Sequence, residues 1–328
     1  MLKKSIEIQK ISERGELMIR YYKTINQNLK RLDEFEPSCW INLTEPTSNE
    51  IEDISKLLEI EADVVGAALD NEESSRVEYD DDYTLILIDI PFDMSDAQSS
   101  TYMTVPIGII LAKDCIITIC SKQTRIINDF IVGHVKDFYT YMKTRFILQI
   151  LYRNATFYLL YLRRINNTTN LIEQEIHNSM KNRELLQLLQ LEKSLVYFST
   201  SLTANEATLD RLLKLNIIKH YQEDQDLLED VIIENKQALQ MSKMYGDILS
   251  RIMDAFSAII SNNQNNVMTY LTVVTIVMAV PTIISGLFGM NVGGIPFATH
   301  PYGFLIVNII TILICILSTA YLIRKRLL

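Results

Sequence analysis

The sequence contains no Asp, Glu, Lys or Arg between Asp254 and Arg324. Two apolar runs, 267–288 and 304–323, lie within this charge-free stretch. Each is about 20 residues long, which is the length that a helix needs to cross a hydrocarbon core about 30 Å thick. The sequence therefore predicts two transmembrane helices joined by the short loop 289–303.

A basic tail, 324–328, follows the second run and contains Arg324, Lys325 and Arg326. Cations beside a span favour the cytoplasmic side of a membrane. The N-terminal residues are not followed by the apolar region of a signal peptide. We therefore expect a multi-pass protein of the cell (inner) membrane, with both termini in the cytoplasm and the loop outside.

Charge and cysteine content exclude several classes of protein. The formal net charge is −9 and the tail contributes +3, so residues 1–254 carry −12. Such an acidic chain lacks the basic face that nucleic-acid binding requires, but it suits contact with cations. The four cysteines form no CxxC pair, which argues against a zinc framework and is typical of a reducing compartment.

Residues 1–140 have the alternation of a mixed α/β domain. Pro46 and the pair Thr47 and Glu50 form a helix start with a capping box. Strand-like runs occur where β-branched and apolar residues are continuous, which indicates a sheet covered by helices. The pattern predicts strands at 18–24, 39–43, 84–90, 107–111 and 115–120, and helices at 48–58 and 61–69.

Residues 141–266 are predicted to form long helices ending in a stalk. There is no Pro or Gly between Gly133 and Gly246, and apolar residues recur every three or four positions. In the last helix two series repeat every seven residues, as in a coiled coil. A helix packed on its own domain would show the same pattern, but the stalk is favoured because the series lead into the first apolar run. The seam is formed by Val231, Ala238, Tyr245, Ile252 and Ile259, and by Met241, Ile248 and Ala255.

The two apolar runs differ in chemistry. The second consists mainly of Ile, Leu and Val, which suits lipid. The first carries small and polar residues spaced by four and three, so that they share one helix face. Such a face indicates helix packing or a water-filled path, and one hairpin cannot enclose a pore without further copies. The face is formed by Met268, Thr272, Thr275, Ala279, Thr282 and Gly286.

The residues around the loop resemble those of a known family. Phe288-Gly289-Met290-Asn291 ends the first run, the segment 265–268 (Asn-Asn-Val-Met) precedes it, and Pro281-Thr282 lies within it. Together with the basic tail, this arrangement resembles the CorA family of divalent-cation transporters. The resemblance implies a funnel-shaped homo-oligomer, a pentamer, with an α/β cytoplasmic domain, a long helical stalk and two C-terminal transmembrane helices.

The resemblance also implies roles for individual residues. Gly289, Met290 and Asn291 would form the outer selectivity region. Asn265, Met268 and Leu271 would line the inner pore, continued by the polar face of the first span. Asp254 would be an acidic position just below the membrane and a candidate ligand of regulatory metal.

Asp230 would bind regulatory intracellular Mg²⁺ between subunits, although the acidic residues around it allow the simpler reading of a charged surface. Its partner on the α/β domain stays open. The candidates are Asp70, Glu72, Asp89 and the run Asp80-Asp81-Asp82.

The predicted function is channel-like uptake of Mg²⁺, with Co²⁺ or Ni²⁺ as further cargo, driven by the membrane potential and gated by intracellular Mg²⁺. The expected partners are divalent cations, further copies of the chain and membrane lipid, with no nucleic acid. No nucleotide loop or catalytic constellation is visible, so we expect no enzyme activity and no organic cofactor. The loop lacks an acid, which leaves ion preference open. A Zn²⁺ transporter of the same fold and a two-span scaffold or sensor are the alternatives.

Overall fold

The computed structural model describes residues 19–95, 101–178, 182–214, 222–290, 292–297 and 300–324. The chain divides into two compact units, the first ending at Arg251 and the second beginning at Ile252.

The first unit is built on a seven-stranded sheet with the order β2-β1-β3-β7-β6-β5-β4. β3 and β7 are parallel, and the other neighbouring strands are antiparallel. In chain order β1 to β7 are Ile19–Ile25, Asn28–Leu32, Trp40–Thr44, Arg76–Tyr79, Tyr83–Asp93, Tyr102–Ala112 and Ile116–Cys120.

Seven α-helices are found in the described part of the chain. Two short helices follow β3, a third follows β7, and the remaining four are long. In chain order α1 to α7 are Ser48–Leu58, Ala62–Gly66, Arg125–Ile131, Lys143–Asn178, Asn182–Lys214, Gln222–Phe288 and Gly303–Arg324.

Helices cover both faces of the sheet, as the continuous apolar strands predict. On one face α1 and α2 pack over the inner residues of β3 and β5 to β7. On the other, α3 and α4 pack around Trp40, and residues from α5 and α6 join the same core. The Trp40 indole is fully buried and donates to Thr118 Oγ1 over 2.8 Å, so its polar atom is satisfied inside the core.

The predicted capping box is confirmed. Thr47 Oγ1 accepts from the Glu50 amide over 3.4 Å, and the Glu50 carboxylate accepts from the Thr47 amide over 2.8 Å. The five predicted strands are also confirmed, with ends shifted by a few residues. Sequence analysis missed β2 and β4, which are the two edge strands and are only partly buried.

The prediction of long helices is confirmed by α4, α5 and α6, which contain 36, 33 and 67 residues. Two residues of the predicted seam on α6 pack within their own chain and not against another copy. Val231 and Ala238 are buried within the first unit, so neither is available to a helix of another copy. For these two positions the assembly seam was the wrong interpretation, because a seven-residue repeat does not specify whether its partner belongs to the same chain.

Candidate functional site

The second unit contains two helical segments that are long and apolar enough to cross a membrane. They are the C-terminal part of α6 and most of α7, and only 6% of the most apolar window of each is buried. A helix with an apolar surface of this extent is stable when lipid or other protein covers it. The two predicted spans fall within these segments.

The polar face of the first span is also uncovered. Asn265 is exposed, and Met268 and Leu271 are 61% and 52% exposed. Further along the helix Thr272, Thr275, Ala279, Thr282 and Gly286 are exposed as well. The side chains that sequence analysis assigned to a pore therefore form one accessible face, and within the described chain nothing packs over it.

The threonine hydroxyls on this face are bonded to their own helix. Thr272 Oγ1 donates to the Met268 carbonyl over 2.8 Å, and Thr275 Oγ1 donates to the Leu271 carbonyl over 2.7 Å. Thr282 does the same to Met278 over 3.0 Å. Each hydroxyl proton is thus satisfied inside the helix, and the oxygen keeps a lone pair that water can use.

The Gly-Met-Asn motif begins where α6 ends. The Gly289 amide donates to the Ser285 carbonyl over 2.9 Å, and the Met290 amide donates to the Leu287 carbonyl over 3.4 Å. A Cβ atom at Gly289 would lie 3.0 Å from the Ser285 oxygen, so a larger residue is disfavoured at this tight end. Asn291 lies outside the described residues.

The two predicted regulatory acids, Asp230 and Asp254, are both exposed on α6 and belong to different units. No group of three or more His, Cys, Asp or Glu side chains that could hold a metal ion occurs among the described residues.

The candidate partners for Asp230 occupy different environments. Asp70 Oδ1 accepts from the Glu72 amide over 2.9 Å, and Asp80 Oδ1 accepts from the Asp82 amide over 3.4 Å, so both carboxylates stabilise exposed turns. Asp89 lies on β5 beneath α5, where burial raises the pKa of its carboxyl and the Ser201 hydroxyl partly offsets this. It is the one candidate whose charge is poorly solvated.

The main chain of Asp89 is fixed by a buried polar cluster that sequence analysis did not predict. Its carbonyl accepts from Asn154 Nδ2 over 2.9 Å, from the Tyr158 hydroxyl over 3.2 Å and from Asn205 Nδ2 over 2.8 Å. Its amide donates to Asn205 Oδ1 over 2.9 Å. A lone acid within the apolar strand was the only sequence signal, because the partners come from two distant helices.

Comparison with known proteins gives one consistent answer. A family model described as CorA-like Mg²⁺ transporter protein matches residues 36–325. The cobalt/magnesium transport protein CorA of Methanocaldococcus jannaschii is 29% identical over 299 residues, covering 87% of this chain and 90% of that protein. The protein of the same name from Thermotoga maritima is 21% identical over 301 residues, covering 88% of this chain and 82% of that protein.

The fold comparison agrees. The complete structure of the CorA magnesium transporter from Methanocaldococcus jannaschii matches with a TM-score of 0.79 and 25% identity, covering 95% of this chain and 99% of that one. The predicted fold class, an α/β domain followed by a long helix and two C-terminal apolar helices, is thereby confirmed. Since the family model spans nearly the whole sequence, this chain belongs to the CorA-like Mg²⁺ transporter family.

Proposed function

We propose that this chain is a membrane-embedded, channel-like transporter of Mg²⁺. The observation that carries the proposal is the exposed polar face on α6, which runs from Asn265 to Gly286 and leads to Gly289 and Met290. A face of this kind in an apolar helix is stable when it lines water. Because one hairpin cannot enclose a path, several copies must bring their α6 faces together, and a closed homo-oligomer, a pentamer by resemblance, provides this.

The chemistry of the path suits a hydrated hard cation. Mg²⁺ is octahedral and loses its water reluctantly. Threonine oxygens and the side-chain amides of Asn265 and Asn291 can hydrogen-bond to the water shell without replacing it. A ring of carboxylates would hold the ion more tightly and slow its release. The described part of the first span contains no Cys or His, which favours a hard ion over Zn²⁺.

Transport in this proposal is passive and inward. With the loop outside, a negative interior attracts the divalent ion with about 4.6 kcal/mol per 100 mV. No nucleotide is required, and the protein is a transporter and not an enzyme. The relatives from Methanocaldococcus jannaschii and Thermotoga maritima are named cobalt/magnesium transport proteins, and Co²⁺ is a second cargo in this proposal.

Intracellular Mg²⁺ gates the path through Asp230 in this proposal. Asp230 is exposed and is followed on the helix by Ile233, which is 60% exposed. An apolar side chain beside an exposed acid is suited to a surface that a second copy covers. Mg²⁺ bound between copies would neutralise the acids there and favour the closed arrangement, while Asp254 would attract ions below the membrane.

The decisive experiment is complementation of a strain that depends on added Mg²⁺. Asn291→Ala should abolish growth at low Mg²⁺, because it removes the amide oxygen from the outer mouth. Asn308→Ala is the matched control. Asn308 lies on α7 and its side-chain amide donates to the Phe304 carbonyl of its own helix over 2.8 Å. The Asn308→Ala variant should support growth like the wild type.

The oligomer must be verified in the same samples by size in detergent. If Asn291→Ala rescues growth as well as the wild type does, the motif does not form the selectivity region. If purified protein in vesicles takes up Zn²⁺ in preference to Mg²⁺, the chain is a Zn²⁺ transporter of the same fold. If an intact oligomer transports neither ion, the alternative of a two-span scaffold or sensor is favoured.

A further inference from the structure

His300 is the one histidine between residues 255 and 323, a stretch without Asp, Glu, Lys or Arg. Histidine is the side-chain type that gains or loses a proton near neutral pH. The loop 289–303 contains no Asp, Glu, Lys or Arg. A proton on His300 therefore changes the formal charge of the loop from zero to +1. In an assembly of several copies, the same charge would appear once in each copy.

The described backbone holds His300 in a defined position. Its amide donates to the Phe297 carbonyl over 3.1 Å, and its carbonyl accepts from the Gly303 amide over 2.9 Å. Phe297 has a left-handed φ of 64°, and a Cβ atom at Gly303 would overlap the Phe297 carbonyl. This close approach requires glycine at the start of α7.

The ring itself is engaged through one nitrogen. His300 Nδ1 accepts from the Tyr302 amide over 3.2 Å. A nitrogen that accepts an N–H bond carries no proton, so the neutral ring bears its proton on Nε2. The neutral loop thus presents a donor to the solvent and not a metal-binding lone pair. Protonation of Nδ1 would both add a charge and remove this hydrogen bond.

Few groups are placed to moderate that charge. The Tyr302 ring is the neighbouring aromatic group, with its centroid 6.2 Å from the imidazole centroid. Across 292–297 and 300–324, the described parts of the loop and of α7, Arg324 at the far end is the only Asp, Glu, Lys or Arg residue. No carboxylate in these ranges can neutralise an imidazolium at the loop.

We propose that His300 determines how readily cations reach the outer mouth: the neutral imidazole admits them and the imidazolium repels them. This inference rests on the proposed transport function and names the residue that makes it sensitive to external acidity. Histidine is the side-chain type whose charge responds to pH in the physiological range. Charges around a narrow mouth alter the arrival rate of ions, and salt screens them.

The test measures Mg²⁺ influx into neutral-lipid vesicles that contain the full-length protein and a Mg²⁺-sensitive dye. The internal pH and the membrane potential are held constant while the external pH is varied from 8 to 5.5. We expect wild-type influx to fall about tenfold over this range, and less at high salt. His300→Gln should keep high influx at both ends, and His300→Lys should give low influx at both.

His134→Gln is the matched control. His134 is an exposed histidine of the first unit, with Nδ1 3.1 Å from Asp129 Oδ1, and its loss should leave the pH profile of the wild type unchanged. If His300→Gln retains the wild-type pH profile, or His300→Lys conducts like the wild type at pH 8, the inference is overturned while transport stands. If the wild type moves no Mg²⁺ at any pH, the proposed function fails and the inference fails with it.

Discussion

The two parts of α6 show how one helix can be stable in two different ways. In the first unit one face of the helix is buried by the same chain, with Leu228 only 2% exposed. In the second unit comparable side chains are open, as with Met268 at 61%. Polar side chains follow the same division. Asn235 and Ser242 donate to carbonyls of α5, whereas Thr272 donates to its own helix.

The difference distinguishes the part of α6 that is stabilised by contacts within its own chain from the part that is stabilised by its surroundings. Residues 222–251 are held by contacts that form within one copy. Only 6% of the most apolar window of this helix is buried. Because burial of apolar surface is the main stabilising term, we expect lipid or other protein to cover residues 252–288. Substitution of buried side chains in the first part should therefore affect folding, and substitution on the exposed polar face of the second part should affect transport.

The largest effect on stability is expected from Leu228→Ala. It removes a side chain from the core of the first unit and should lower the free energy of unfolding by about 3 kcal/mol. Trp40 is the only tryptophan and is fully buried in this core, so its fluorescence in full-length protein reports unfolding of this unit.

Met244→Ala is the control on the same helix. Met244 is 48% exposed, and its truncation should change the unfolding of the first unit by less than about 0.5 kcal/mol. If both substitutions destabilised the unit equally, α6 would not be held as its burial pattern indicates.

The next prediction compares a buried hydrogen bond between two helices with a hydroxyl on the exposed face of α6. Asn235 Nδ2 is buried and donates to the Leu202 carbonyl over 3.1 Å, so Asn235→Ala should cost about 1–2 kcal/mol in the same fluorescence measurement. Thr272→Val keeps the shape of the side chain and removes a hydroxyl from the exposed face. It should leave Trp40 unfolding unchanged and lower Mg²⁺ influx in vesicles. Reversal of these outcomes would contradict the division of α6.

The sequence predicts the parts of the fold that depend on local pattern. The central strands are visible as apolar runs, and α1 is visible from Thr47 and Glu50, because a capping box uses neighbours in the chain. The edge strand β2 is not visible in the sequence, because its residues are mostly exposed and polar. Its turn also lacks the usual glycine, since Asn26 and Gln27 adopt the positive φ values of 50° and 65°.

The site is predictable to a different degree. The polar face of the first span follows from helical periodicity, and the described coordinates keep it uncovered. The roles of Asn291 and Asp230 came from resemblance to a family and stay predictions. The seam at Val231 could not be assigned from sequence, because the heptad pattern is the same for a partner in one chain or in another. The buried partners of Asp89 required coordinates, since Asn154 and Asn205 are far from it in sequence.

The smallest effect expected is that of Asp89→Asn on the first unit. Burial raises the pKa of the Asp89 carboxyl in the folded chain above its usual 3.8. The folded state therefore retains the proton at a pH where the unfolded state has lost it, and stability falls as pH rises through this window. The Asp89 main-chain contacts to Asn154, Tyr158 and Asn205 survive the substitution, because they involve only the carbonyl and the amide. In Mg²⁺-free buffer Asp89→Asn should then be more stable than the wild type at pH 7.5, and the difference should shrink towards pH 4.

Asp70→Asn, at an exposed turn, is the control and should not stabilise the first unit at pH 7.5. A stabilisation by Asp89→Asn that grew on acidification would mean that the carboxylate is favoured in the folded chain. The polar cluster of the first unit would then stabilise a charge as well as a solvent-exposed surface does, and the contrast between the two parts of α6 would not extend to charged groups.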